Sequence, residues 1–153
     1  MDKMKDSFNE RLANEAKRWF WLSVPYAFRG KTIRGCDCGG FLVGVINSVL
    51  NQNHKLPAYT RDWNLHQGSE DVLQEALEKY GEEKTKEEMQ AGDVLLFEFG
   101  RYNSHTGIFI GEHKFVHCHE ATRQCCIDVL LHSDWENRFR KVYRLDENKL
   151  KTI

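Results

Sequence analysis

The constraint that weighs most on this chain is the apolar block Phe41 to Leu50, which follows Gly35-Cys36-Asp37-Cys38-Gly39-Gly40 directly. Read as a helix over 38–50 it is apolar almost all round, and such a helix must be buried among other elements. Asp37 is a good N-cap, so Cys38 falls in the first turn. There the free backbone N–H groups and the helix dipole favour thiolate over thiol.

The rest of the chain supplies what covers that helix. Ser7 with Glu10 has the spacing of a capping box, and Phe8, Leu12, Ala16, Trp19 and Phe20 recur at helical intervals. This first helix must stop before Pro25. A glycine-bearing loop, 29–35, leads to Asp37. Residues 51–68 read as a long loop pinned by Tyr59 and Trp63, and a third helix spans 69–80 with Gly81 as its stop. After a charged connector, 82–88, the texture changes to short segments rich in β-branched and aromatic residues: 93–99, 106–110, 114–118, 126–131 and 138–145. Turn material separates them at Gly100-Arg101-Tyr102-Asn103 and Gly111-Glu112-His113. Helices first and antiparallel strands second describe one α+β domain over residues 1–153, with helices packed on a small sheet.

Composition excludes several function classes. The 153 residues are enough for one core, and 22 basic against 23 acidic residues give no field that would mark a nucleic-acid or membrane-surface binder. The charged start, Met1-Asp2-Lys3-Met4-Lys5-Asp6, is not a secretory signal, and no apolar run is long enough for a membrane span. Five cysteines form no spaced disulfide framework. The expectation is a protein made in a reducing compartment.

Two histidines can serve the cysteine. His105 and His117 lie on consecutive strands, and an odd number of turn residues would put them on one face of the sheet, with Cβ atoms about 4.5–8 Å apart. One imidazole could take the thiol proton while the other fixes its tautomer and ring plane. His119 shares the face of His117, and geometry alone does not choose between them. Against this stands the plainer reading of a cysteine in an apolar helix as core. Zinc is the sharper rival, but Cys36-x-Cys38 with His117-Cys118-His119 lacks the two-to-four-residue spacing of structural sites. Cys125-Cys126 read as packing thiols. His54, His66, His113 and His132 read as solvated loop residues.

Taken together, Pro25-Tyr26, Asp37-Cys38-Gly39-Gly40-Phe41, Ala91-Gly92-Asp93-Val94-Leu95-Leu96-Phe97, His105-Thr106-Gly107-Ile108-Phe109-Ile110-Gly111 and Phe115-Val116-His117 resemble the NlpC-type cell-wall peptidases. These are papain-like cysteine hydrolases of bacterial peptidoglycan. The resemblance runs from about Trp19 to Leu145. Gly35-Cys36-Asp37-Cys38 and Tyr59-Thr60-Arg61-Asp62-Trp63 are similar to the phage-tail and gene-transfer-agent branch. The resemblance implies Cys38 as nucleophile, His105 as general base, His117 rather than His119 as the residue orienting it, and Tyr26 as an oxyanion donor. It also implies that no metal or organic cofactor is needed. The implied substrate is the peptidoglycan stem peptide, at the γ-D-glutamyl to diaminopimelate bond, with phage-like tail proteins as partners and action on the cell wall from a virion or tail. An amidase or acyltransferase on the same scaffold, or an inactive structural tail component, are the alternatives. Gly39 departs from the pattern, since many members have serine there, and Cys36 has no assigned role.

Overall fold

The computed structural model describes residues 6–55, 72–99 and 102–152. Tyr59, Trp63, His66 and the start of the third helix lie outside the described residues. Helix α1 (Phe8–Trp21) opens with the expected capping box: Glu10 N–H donates to Ser7 Oγ at 3.0 Å, and Ser7 N–H to Glu10 Oε1 at 2.8 Å. It buries Leu12, Ala16 and Trp19 and ends ahead of Pro25. The loop expected over 29–35 is instead a small hairpin, β1 (Lys31–Thr32) and β2 (Gly35–Cys36). Helix α2 (Cys38–Leu50) buries Phe41, Leu42, Val45 and Ile46, as its apolar circumference requires. Gly40 and Gly44 let it approach its neighbours closely. A Cβ on Gly40 would collide with the Gly30 carbonyl, and one on Gly44 with Trp19 and Lys31.

Helix α3 (Val72–Tyr80) runs straight into β3 (Gly81–Lys84), so the charged connector begins as a strand. The sheet continues with β4 (Val94–Phe99), β5 (Tyr102–Gly111), β6 (Lys114–His119), β7 (Gln124–Val129) and β8 (Phe139–Leu145), in the order β3-β8-β4-β5-β6-β7, antiparallel throughout. Tyr102 and Asn103, expected as turn material, already belong to β5, and Gly100 and Arg101 lie outside the described residues. Short helices α4 (Asp134–Arg138) and α5 (Glu147–Lys151) flank β8.

Period-two alternation divides the core into two layers. Val94, Leu96, Ile108, Val116, Cys118 and Tyr143 pack with α1, α2 and α3 on one face. Leu95, Phe97, Phe109, Phe115 and Phe139 gather on the other, covered in part by Trp135 of α4. An α+β domain with helices on an antiparallel sheet is therefore what the structure shows. No helix among the described residues is long and apolar enough to cross a membrane.

Candidate active site

Asp37 holds the junction between the hairpin and α2. Its carboxylate accepts from Gly40 N–H at 2.7 Å and from Arg29 N–H at 2.9 Å, so one side chain caps the helix and pins the preceding loop. Cys38 is thereby fixed at the first helical position. Its thiol donates to the Ser104 carbonyl at 3.6 Å, and its own carbonyl accepts from Thr106 Oγ1 at 3.2 Å. The nucleophile candidate thus touches β5 on both sides of His105.

The expected thiolate is not what this environment favours. Burial, and then the nearby Asp37 carboxylate, push the Cys38 thiol up to about 12, although backbone N–H groups including that of Gly39 act in the opposite sense. Burial also holds His105 well below the usual imidazole range, reinforced by His117 and His119. Thiol and imidazole are both neutral at rest.

His105 and His117 share a face, though not by the route expected. The turn Glu112-His113, both residues at positive φ, has an even number of residues. A bulge between Phe109 and Gly111 inserts the extra residue and restores the parity. His105 Nε2 and His117 Nδ1 meet at 2.8 Å, and the two residues are 3% and 0% exposed. His119 lies on the same face, with its ring centroid 5.3 Å from that of His105.

Two members of this cluster escaped the sequence reading. Asp128 Oδ2 lies 2.7 Å from His117 Nε2, and that hydrogen bond is the main reason its carboxyl titrates below the ordinary range. Pairing of His117 with Cys126 sets Asp128 diagonally across from the histidine, within reach of an imidazole. The alternation in Cys126-Ile127-Asp128 was the available signal, but it needs the register of β6 on β7. Trp135 stacks on His105 at 5.2 Å between centroids and meets His117 edge-on at 4.7 Å, covering the bond between them. A lone tryptophan in a polar stretch gave no signal.

The hydrogen-bond chain fixes proton positions when both rings are neutral. An ionised carboxylate only accepts, so His117 donates from Nε2 and accepts at Nδ1. His105 then donates from Nε2, which leaves its Nδ1 lone pair as the basic atom.

Tyr26 is half-buried against the helix-side core, and its backbone bridges Cys36, two residues before Cys38. Cys36 is a core residue. Its sulfur lies 3.7 Å from that of Cys125, and its carbonyl accepts from the Cys118 thiol at 3.1 Å. All five cysteines are free.

Comparison with known proteins gives the family and the fold. A model of the NlpC/P60 family matches residues 23–144. A Haemophilus influenzae protein named "Probable endopeptidase" is 30% identical over 128 residues, covering 82% of this chain and 68% of that protein. The Escherichia coli "Murein DD-endopeptidase MepS/Murein LD-carboxypeptidase" is 25% identical over 125 residues, covering 82% of this chain and 57% of the relative. Among solved structures, an NlpC/P60 family protein from Bacillus cereus superposes with a TM-score of 0.67 at 21% identity, covering 91% of this chain and 40% of that one. The NlpC/p60 domain of the peptidoglycan hydrolase SagA gives 0.65 at 18% identity, covering 91% and 100%. At these identities the structural likeness concerns the fold.

Proposed function

Because this chain belongs to the NlpC/P60 family, we propose that it is a cysteine endopeptidase that cuts peptidoglycan stem peptides, with Cys38 as nucleophile and His105 as base. The observation that carries the reading is the contact of the Cys38 thiol with the Ser104 carbonyl, one residue from the His105-His117-Asp128 chain.

In this mechanism the thiol turns from the Ser104 carbonyl to His105 Nδ1 and gives up its proton as sulfur attacks the scissile carbonyl. A neutral pair at rest makes proton transfer part of the attack, with His105 as a general base. The oxyanion is held by the Cys38 backbone N–H, left without an intrahelical partner at the first helical position, and by the Tyr26 hydroxyl. Protonated His105 then donates to the departing amine as the C–N bond breaks, and water hydrolyses the thioester. Asp128 keeps His117, and through it His105, in the productive tautomer. Trp135 keeps water from the hydrogen bond that transmits it.

The named endopeptidase and peptidoglycan hydrolase relatives support this reading. The bond cut, γ-D-glutamyl to diaminopimelate, rests on the family resemblance, and carriage on a phage-like tail rests on sequence likeness at 35–38 and 59–63. Mass spectrometry of products from defined muropeptides tests the bond. Products cut elsewhere, or acyl-transfer products, would replace it with the amidase or acyltransferase reading. Adjacent tail genes would test the delivery route.

Two variants probe individual roles. Tyr26→Phe removes one oxyanion donor and should lower kcat by about 10²–10³ without abolishing turnover. An unchanged kcat would remove Tyr26 from the mechanism. Asp128→Asn replaces an obligate acceptor with a group that can also donate to His117 Nε2, so the proton order along the chain is no longer fixed. The expected loss is about 10–100-fold, of the size seen when an outer partner of a functional histidine is removed, and it should fall on kcat rather than KM. In the wild type the acid limb of kcat/KM should lie below pH 6.5, since burial lowers His105. A limb at or above 6.5 would contradict a neutral resting base.

A further inference from the structure

His117, Cys126 and Asp128 converge on one point behind the catalytic base, and most of that convergence is not used by the proposed chemistry. Nε2 of His117 lies 2.7 Å from Asp128 Oδ2 and 3.5 Å from Cys126 Sγ, and Cys126 Sγ lies 3.8 Å from Asp128 Oδ2. Cys126 has a further contact, with Thr122 Oγ1 at 3.6 Å. An imidazole nitrogen, a thiol and a carboxylate drawn from two neighbouring strands form one face of a coordination tetrahedron. For zinc, with bonds of about 2.0–2.3 Å to such ligands, the edges of that face would be about 3.4–3.6 Å. Both edges that include sulfur are already near this length. The nitrogen–oxygen edge is shorter because a proton now occupies it, and Asp128, whose side chain is 39% exposed, can withdraw to open it.

We propose that these three residues form a reversible binding site for a borderline-soft divalent cation of the zinc class, and that occupancy switches the peptidase off. The ligand set selects the ion. A nitrogen, a sulfur and an oxygen suit zinc, whereas magnesium and calcium need oxygen donors throughout. Three protein ligands leave the fourth position to water, as in exchangeable rather than structural sites. Entry runs past half-buried Cys126 and Asp128. The Cys36, Cys118 and Cys125 sulfurs also cluster, but they are fully buried and already contact one another or the Cys36 carbonyl.

Proton balance explains the switching. On binding, Cys126 releases its thiol proton to solvent. Because a thiol must lose its proton to ligate, affinity rises with pH. The metal replaces hydrogen at His117 Nε2, and the neutral ring then carries its proton on Nδ1. Nδ1–H donates to His105 Nε2, which must accept, so the His105 proton moves to Nδ1 and blocks the atom that would receive the thiol proton. Arg138, close enough to disfavour protonation of both His105 and His119, adds a positive charge that opposes tight binding.

The switching claim rests on the catalytic reading above; the binding claim does not, and the two are tested separately. Binding is measured with cobalt(II) as the probe on the full chain carrying Cys38→Ala, which removes the nucleophile as a competing ligand. A thiolate-to-cobalt absorption band saturating at one ion per chain is expected. Adding Cys126→Ser should abolish the band, and calcium should not displace the ion. A band that survives Cys126→Ser, or no band at all, overturns the site. Switching is measured as zinc inhibition of muropeptide cleavage. With each protein referred to its own metal-free rate, Cys126→Ser should raise the zinc concentration for half-inhibition by at least the roughly 10–100-fold that even outer partners of a metal command. Equal zinc sensitivity in the two proteins, or cobalt binding through Cys126 without zinc inhibition, overturns the switch.

Discussion

Cys38→Ala should leave a folded protein with no measurable cleavage of muropeptides, a loss of at least about 10³-fold. The physical reason is that no neighbouring group can replace the sulfur. Ser104 and Thr106 meet Cys38 through a carbonyl and a hydroxyl, each already hydrogen-bonded to it, and neither is as nucleophilic as a thiol. Removing a nucleophile from a unit that acts together costs nearly as much as removing the whole unit. Folding should survive, because Asp37, not Cys38, caps the helix and the substitution introduces the best helix former. Circular dichroism and thermal melting serve as the control. If the variant still cut purified peptidoglycan, the mechanism would be wrong at its first step. His105→Ala should match it closely, and the double variant should be no worse than the poorer single one, as expected for residues that work as one unit.

How far the sequence foretold this arrangement depended on how local the cause was. Helix α2 was legible because its causes sit within or beside its own residues: an apolar circumference and Asp37 as cap. The capping box on α1 was legible for the same reason. Strand β3 was hidden in a charged connector because it is an outer strand, where Glu82 and Glu83 stay exposed and charge discourages further pairing. The shared face of His105 and His117 was foreseen, but its cause was not. An even turn plus a bulge gives the same parity as an odd turn, and a bulge of this kind leaves little trace in sequence. Asp128 and Trp135 depend on strand register and on a short helix after β7, both set by tertiary packing. The thiolate expectation failed on magnitude. The helix N-terminus acts in the expected direction, but burial of the sulfur outweighs it.

The fold beneath the site depends on a second cluster that carries no chemistry, and its disruption should be the largest effect on stability. Asp93, fully buried just before β4, receives a bidentate pair from Arg144 of β8, with Nε and Nη2 each at 2.9 Å from a separate carboxylate oxygen. Asn9 of α1 donates to the same carboxylate at 2.7 Å and the Gln90 backbone N–H at 2.8 Å. One carboxylate therefore joins the first helix, the turn into β4 and the strand beside it. Arg144 retains some contact with water, its side chain 26% exposed, whereas Asp93 has none. Removing the cation strands a buried charge, which typically costs about 3–5 kcal/mol. Removing the anion instead leaves a guanidinium that can hydrate, plus unmet donors on Asn9 and Gln90 worth about 1–3 kcal/mol each at most. Arg144→Ala and Asp93→Ala should therefore each cost several kcal/mol in urea unfolding at neutral pH, and each should lower Tm by about 10 °C or more. Both exceed the exposed pair Arg140–Glu98, where Arg140→Ala should cost under about 1 kcal/mol. Should Arg144→Ala prove no more costly than Arg140→Ala, the cluster would be ornamental, and the alignment of α1 with the sheet would have to come from the apolar contacts of Leu12, Ala16 and Trp19 alone.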